Sequence, residues 1–159
     1  MQQDDSAATF EPAPRDERDQ IERLFRRAFV AYVGRLGRVQ SDDAYDWLDA
    51  AIERSDVFVA RQAGALVGAV ATTRREGDLH IDQIAVDPER QGAGIGSWLL
   101  ESTERLARSR RTRALCLHTA EMMDDLLRLY RRHGFEEVRR GLPDHGKDVH
   151  VRVFMRKTL

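Results

Sequence analysis

Apolar residues recur along the chain with two periods, and the switches between them mark its elements. ATFEPA (8–13) is a short strand candidate ended by Pro12 and Pro14. From Arg15 to Gly37, Ile21, Leu24, Phe25, Ala28 and Phe29 recur at helical spacing, and Gly34 and Gly37 stand where the helix would close. Ser41 is a candidate N-cap for a second helix that turns Tyr45, Leu48 and Ile52 inward. DVFVARQAGALVGAVATT (56–73) reads as two strands joined by a turn at Gly64. LHIDQIAVD (79–87) sets Leu79, Ile81 and Gln83 on one side against His80, Asp82, Ile84 and Val86 on the other. Polarity on both sides predicts a central strand that also lines a site. RQGAGIGSWLL (90–100) is a glycine-rich loop running into a helix that extends to about Arg108. A strand ALCLHT (114–119), a helix EMMDDLLRLYRRH (121–133) and two strands in GFEEVRR (134–140) and DVHVRVFMRK (148–157) complete the pattern, the last two separated by a loop with Gly141, Pro143 and Gly146.

This order predicts an α/β fold with a mixed central sheet, antiparallel in its N-terminal part and parallel at one pair, flanked by helices on both faces. At 159 residues and 18.2 kDa the chain suits one domain, 1–159, with residues 1–6 expected as a disordered tail. A formal net charge of −1 supplies no global field that would recruit nucleic acid or an anionic membrane. Charge is uneven nonetheless, acidic in SDDAYDWLDAAIERSD (41–56) and basic in RLARSRRTR (105–113). One cysteine, Cys116, leaves no internal disulfide and points to a reducing compartment. No apolar run reaches the roughly 20 residues of a membrane span, and MQQDDSAATF does not read as a signal peptide, so the cytoplasm is expected.

Candidate chemistry enters with the loop. Gly92, Gly94 and Gly96 remove side chains where a helix begins, and unpaired N–H groups there, at the positive end of the helix dipole, suit a phosphate or pyrophosphate. A nucleoside-triphosphatase loop would need a Gly-Lys pair followed by Ser or Thr, and this chain has none there. A dinucleotide fingerprint counted from Gly92 needs glycine at Ser97, and an acidic residue where the following strand ends in His118 and Thr119.

What fits is Gln91-x-x-Gly94-x-Gly96, preceded by IAVDPE and followed by a helix. It resembles motif A of the GNAT N-acetyltransferase superfamily, whose loop wraps the pyrophosphate of acetyl-coenzyme A. LRLYRRHGFEEV (127–138) is similar to the family's second block, in which a tyrosine-bearing helix runs into Gly-Phe and a final strand. FVARQAGALVGAV is similar to its early hairpin, and AYVGRLGR with SDDAYDWL occupies the region of its variable acceptor-binding helices. The similarity covers most of the chain and is strongest from 79 to 138. It implies the GNAT fold with the parallel strand pair at the coenzyme site, acetyl-CoA as co-substrate and no metal.

The resemblance also assigns residues. Gln91, Gly92, Ala93, Gly94, Ile95, Gly96 and Ser97 hold the pyrophosphate, and the backbone of Ala85 and Val86 faces the pantetheine arm and the acetyl carbonyl, where a free N–H would stabilise an oxyanion. Tyr130 matches the family's tyrosine; a phenol there is a general acid for the departing thiolate. Three candidates stand for the base. His118 ends the strand before the tyrosine helix, and His80 and Asp82 lie on the strand entering motif A; a water chain without a single base is the alternative.

Bland roles are expected elsewhere. Arg105 and Arg108 complement a helix C-terminus, although they, or Arg131 and Arg132, could reach the coenzyme's 3′-phosphate. Glu121 is expected as a helix N-terminal charge, Cys116 as a buried small apolar residue, and Tyr32 and Trp47 as packing. His133, His145 and His150 lack metal-site spacing. Asp42, Asp46, Asp49 and Glu53 fall on one helical face, a solvated face or an attractor of a cationic acceptor. The activity expected is acetyl transfer to a primary amine of a small molecule by direct attack in a ternary complex, with a homodimer possible. Its rivals are a protein lysine or N-terminal acetyltransferase and a non-catalytic acyl-CoA sensor.

Overall fold

The computed structural model describes residues 8–143 and 149–159; the expected tail (1–6), His145 and Gly146 lie outside them. Seven strands form one sheet in the order β1-β2-β3-β4-β5-β7-β6. They are β1 (Thr9–Pro12), β2 (Val57–Gln62), β3 (Ala65–Arg75), β4 (Asp78–Val86), β5 (Ala114–Ala120), β6 (Glu136–Gly141) and β7 (Arg152–Thr158). The helices are α1 (Arg18–Arg35), α2 (Leu48–Glu53), α3 (Ile95–Ser109) and α4 (Asp124–Arg132). β1, β2 and β3 pair antiparallel, β4 and β5 pair parallel, and β7 lies antiparallel to both β5 and β6. The mixed sheet expected from the element order is present. The chain divides into two compact units: residues up to Thr72 with Gln83–Ser102, and Thr73–Asp82 with Thr103–Leu159.

In the first unit the β2–β3 hairpin sorts its side chains by pleat. Ala63 and Gly64 both have positive φ, the geometry whose twist matches a two-residue hairpin. Val57 and Val59, paired with Ala71 and Ala69, join Ile21, Leu24 and Phe25 of α1 and Leu48 and Ile52 of α2 in one core. Burying each large side chain of that stripe stabilises by about 1.5–3 kcal/mol. The alternate residues face the other way. Phe10 stacks on Phe58 at 5.1 Å and meets Trp98 of α3 edge-on at 6.2 Å, while Leu99 lies over Gly68. Helices therefore cover both faces of this part of the sheet.

Between α1 and α2 the structure departs from the expected helix. Residues 42–47 form turns, α2 begins only at Leu48, and its N-cap position is Trp47 with no side-chain cap, so Ser41 does not cap a helix. Of the four acids expected on one helical face, only Asp49 and Glu53 are helical. The inward residues Tyr45, Leu48 and Ile52 are nevertheless buried. Long-range arginine bonds add to the backbone turn bonds there. Arg26 donates to the Ser41 and Asp42 carbonyls, both at 3.1 Å, and its own carbonyl accepts from Gln40 at 2.8 Å. Arg18 donates to the Tyr45 carbonyl at 3.0 Å and to Asp49 at 3.1 Å. Glu22 accepts from both arginines, at 2.6 and 2.9 Å, and these bonds hold its carboxyl below its usual range against the opposing effect of burial. α1 also runs through Gly34 to Arg35, and Gly37, with φ +70°, makes the reversal.

In the second unit β5 and β7 pair along their whole lengths, from Ala114↔Thr158 to Ala120↔Arg152. Leu115, Leu117, Val153 and Met155 are buried, and β6 is an exposed edge whose register shifts between Glu137 and Arg139. α4 starts three residues later than expected, so Glu121 precedes the helix and pairs with Arg140 at 3.5 Å; Asp124 and Asp125 occupy the first turn instead. Cys116 is half-buried, not fully so, and burial raises its thiol pKa.

Gly68 gives the first test. A Cβ there would stand 2.8 Å from Leu99 Cδ1 and 3.0 Å from the Ala85 carbonyl oxygen. Gly68→Ala is expected to lower stability by about 1–3 kcal/mol in chemical denaturation, because one of the obstructing atoms is backbone.

Candidate active site

Asp87 anchors the entry to the glycine loop. Its N–H donates to the Val67 carbonyl at 2.9 Å, its carboxylate accepts the Glu89 N–H at 3.0 Å, and Arg27 pairs with it at 3.1 Å. A 3₁₀ turn (Pro88–Arg90) then delivers Gln91 to Gly94, all exposed. Gly92 and Gly94 have φ of +87° and +81°, and nothing lies within 4 Å of where a Cβ would stand on either. Gly96 is different: its φ is ordinary, and its missing Cβ would sit 3.8 Å from Val86 Cγ2. The Trp98 N–H makes an early bond of α3, to the Gly94 carbonyl at 3.1 Å, so the amides ahead of it have no acceptor within the helix. No carboxylate occupies the first turn of α3. The loop is thus open, amide-lined and positive, and it suits an anionic pyrophosphate.

The tyrosine-bearing block folds for a local reason. Past α4, the Phe135 N–H reaches back to the Tyr130 carbonyl at 3.1 Å and the Gly134 N–H to the Arg131 carbonyl at 3.0 Å, with Gly134 at φ +89°. This is a Schellman cap, and its accompanying apolar contact is the edge-on meeting of the Tyr130 and Phe135 rings at 6.0 Å. Tyr-Arg-Arg-His-Gly-Phe therefore encodes the helix end that fixes Tyr130, which is 6% exposed.

The base candidates sit on one face of the second unit's sheet. His80 pairs across the parallel ladder with Cys116, and His118 stands two residues further along β5 on the same side. His118 is exposed, with its ring 5.1 Å from Phe154, whose other contact is the Arg139 guanidinium at 3.6 Å. Burial, and then Arg75, lower the His80 pKa and favour its neutral imidazole. The Asp82 carboxylate already accepts the Thr73 hydroxyl and faces Arg75 at 3.4 Å, so proton abstraction by it would have to disturb both. The basic stretch is partly spoken for: Arg108 pairs with Glu104 at 2.9 Å, and Arg113 faces Asp78 at 3.7 Å.

Comparison with known proteins agrees with this geometry. Residues 53–137 match the family model described as an acetyltransferase (GNAT) domain. The chain belongs to the GNAT family. It is 32% identical over 130 residues to an "IAA acetyltransferase" of Azospirillum brasilense, spanning 80% of this chain and 84% of that one. Among solved structures, PaiA N-acetyltransferase of Thermoplasma acidophilum in complex with coenzyme A superposes with TM-score 0.75 at 15% identity, covering 96% of this chain and 99% of that chain. The ribosomal-protein-S18-alanine N-acetyltransferase of Escherichia coli does so with TM-score 0.73 at 19% identity, covering 96% and 94%. At these identities the two structures share the fold. This GNAT protein is accordingly an acetyl-CoA-dependent acyltransferase, and among its described residues no helix is long and apolar enough to cross a membrane.

One polar pair of this GNAT chain escaped the sequence. Tyr45, stacked on Phe25 at 5.7 Å with the Arg26 guanidinium 5.1 Å over its ring, is hydrogen-bonded to the Gln83 side chain. Burial pushes the Tyr45 phenol up to about 12, so it stays protonated. Gln83 Oε1 is buried without a partner among the described residues, and an unmet acceptor of that kind costs about 1–3 kcal/mol of desolvation. The available signal was a glutamine sharing a strand side with Leu79 and Ile81.

The histidine yields a pH test with a definite sign. Because the folded pKa of His80 lies below its ordinary value near 6.5, the unfolded chain binds more protons as pH falls through that value. Its contribution to stability is whole above that pH and is lost as pH drops toward the folded pKa. Denaturation midpoints measured across that range should decline less steeply toward acid for His80→Gln than for the parent chain.

Proposed function

We propose that this protein transfers the acetyl group of acetyl-CoA to the primary amine of a small molecule, by direct attack in a ternary complex. The observation that carries the reading is the loop itself, with left-handed Gly92 and Gly94 opening onto space ahead of an acid-free helix start. Gln91 to Ser97 hold the pyrophosphate, and the backbone of Ala85 and Val86 takes the acyl-bearing arm and polarises its carbonyl. Acetyl-CoA supplies an activated thioester whose leaving group is a thiolate. Tyr130 protonates that sulfur; a phenol fixed by the cap at Gly134 suits the task. An imidazole, His80 or His118, relieves the incoming ammonium of its proton, and the neutral form favoured at His80 is the one able to accept it. The relative named an IAA acetyltransferase supports acetyl transfer.

Calorimetric titration with acetyl-CoA, with NAD and ATP as controls, should give saturable binding of the coenzyme alone. Gly94→Ala is expected to weaken it by about tenfold or more, since a Cβ at φ +81° strains the loop by about 1–2 kcal/mol and intrudes on the anion's place. Tyr130→Phe is expected to reduce turnover roughly 10²–10⁴-fold, measured as thiol release, with acetyl-CoA affinity nearly intact. Turnover unchanged in that variant removes the acid from Tyr130, and preferential acetylation of peptides would move the acceptor to proteins.

A further inference from the structure

Two buried side-chain oxygens have no hydrogen-bond partner among the described residues, Gln40 Oε1 and Gln83 Oε1. Gln40 spends its amide nitrogen on the Arg26 carbonyl and belongs to the bonds that tie residues 38–47 to α1. Gln83 stands on β4, two residues before Ala85, and its side chain is hydrogen-bonded to Tyr45; with Oε1 unpartnered among the described residues, the amide N–H is the donor and the phenol oxygen the acceptor. The orientation of that carboxamide is therefore set from behind. Tyr45 is itself fixed by its ring contacts with Phe25 and Trp47, both 5.7 Å away, and by Arg18 and Arg26, which Glu22 locks together.

We infer that Gln83 is a specificity-determining residue for the acceptor: its Oε1 receives an N–H of the substrate amine, and Tyr45 holds the amide to that task. The inference rests on the small-amine reading above and narrows it to a class, an amine carrying one charge on an apolar body. Polycations fit poorly beside Tyr45 because Glu22, the carboxylate acting on it, is already matched by two arginines. Glu22 faces Arg18 and Arg26, Asp49 faces Arg18, Glu53 faces Arg15 and Asp56 faces Arg54, at 2.6–3.3 Å. Asp42, Asp43 and Asp46 lie exposed on the turns before α2. What flanks Gln83 through Tyr45 is aromatic: Phe25, and Trp47 with 36% of its surface exposed.

The test is steady-state kinetics on the full chain with 2-phenylethylamine and spermidine as acceptors, together with acetyl-CoA calorimetry on every variant. The parent protein should favour 2-phenylethylamine over spermidine by at least about tenfold in kcat/KM. Gln83→Met, which keeps the length and removes the oxygen, should raise KM for 2-phenylethylamine about tenfold, with kcat and acetyl-CoA affinity within about twofold of the parent's. Gln83→Glu, which keeps an accepting oxygen, should hold KM within about threefold, a rescue that a packing role does not predict. Tyr45→Phe keeps the ring and releases the amide, and should move the same KM in the same direction, which covers the case of a poorly folding Gln83→Met. A preference for spermidine, no turnover of either amine by a protein that binds acetyl-CoA, or an unchanged KM in both Gln83→Met and Tyr45→Phe overturns the inference. Failure of the parent protein to bind acetyl-CoA instead overturns the acetyl-transfer reading beneath it.

Discussion

At Gly68 helix and sheet come close, and the placement of the glycine loop depends on that approach. With Leu99 at 2.8 Å and the Ala85 carbonyl at 3.0 Å from a missing Cβ, α3 lies against β3 and β4 at a separation that a side chain at position 68 would strain. The consequence runs along the helix. Leu99 sits one turn past the start of α3, so seating it on Gly68 also sets the height of the Gly92–Gly96 loop above Val86. A bare strand position buys a fixed helix start, and a fixed helix start keeps amides and dipole aimed at one place.

Two other devices fix single side chains, and they differ in range. At the end of α4 the device is local: a left-handed glycine, two back-bonded amides and a ring contact hold Tyr130 within six residues of sequence. Between α1 and α2 it is distant. One carboxylate, Glu22, braces two arginines whose bonds to the Ser41, Asp42 and Tyr45 carbonyls span 15 to 27 residues. Exposed ion pairs are worth little, whereas these guanidiniums are half-buried and donate to backbone carbonyls of the turns, two of which also accept a turn N–H.

That contrast explains what the amino-acid sequence made legible. The α1 stripe, the β2–β3 hairpin with its Gly64 turn, the glycine loop and the Tyr130 block are all encoded by spacing within a dozen residues, and each was readable. Ser41 misled because a serine before an apolar period is a good local cap signal, yet the bonds that shape residues 38–47 come from α1. Glu121 misled in the same way, its first-turn place going to Asp124 and Asp125. The environment of His80 was beyond reach because it is made by burial and by Arg75 across a hairpin.

Gln83 marks the boundary between the two kinds of information. Its position among Leu79, Ile81 and Ala85 was visible as alternation, but alternation alone marks it only as a polar residue on a buried side. The unmet oxygen becomes meaningful once Tyr45 is known to engage the amide, and Tyr45 is where it is because of arginines 19 and 27 residues upstream. A fold that invests distant charge pairs in orienting one phenol against one amide, while leaving that amide's oxygen without a donor among the described residues, has the form proposed for it, an acceptor awaiting a substrate N–H.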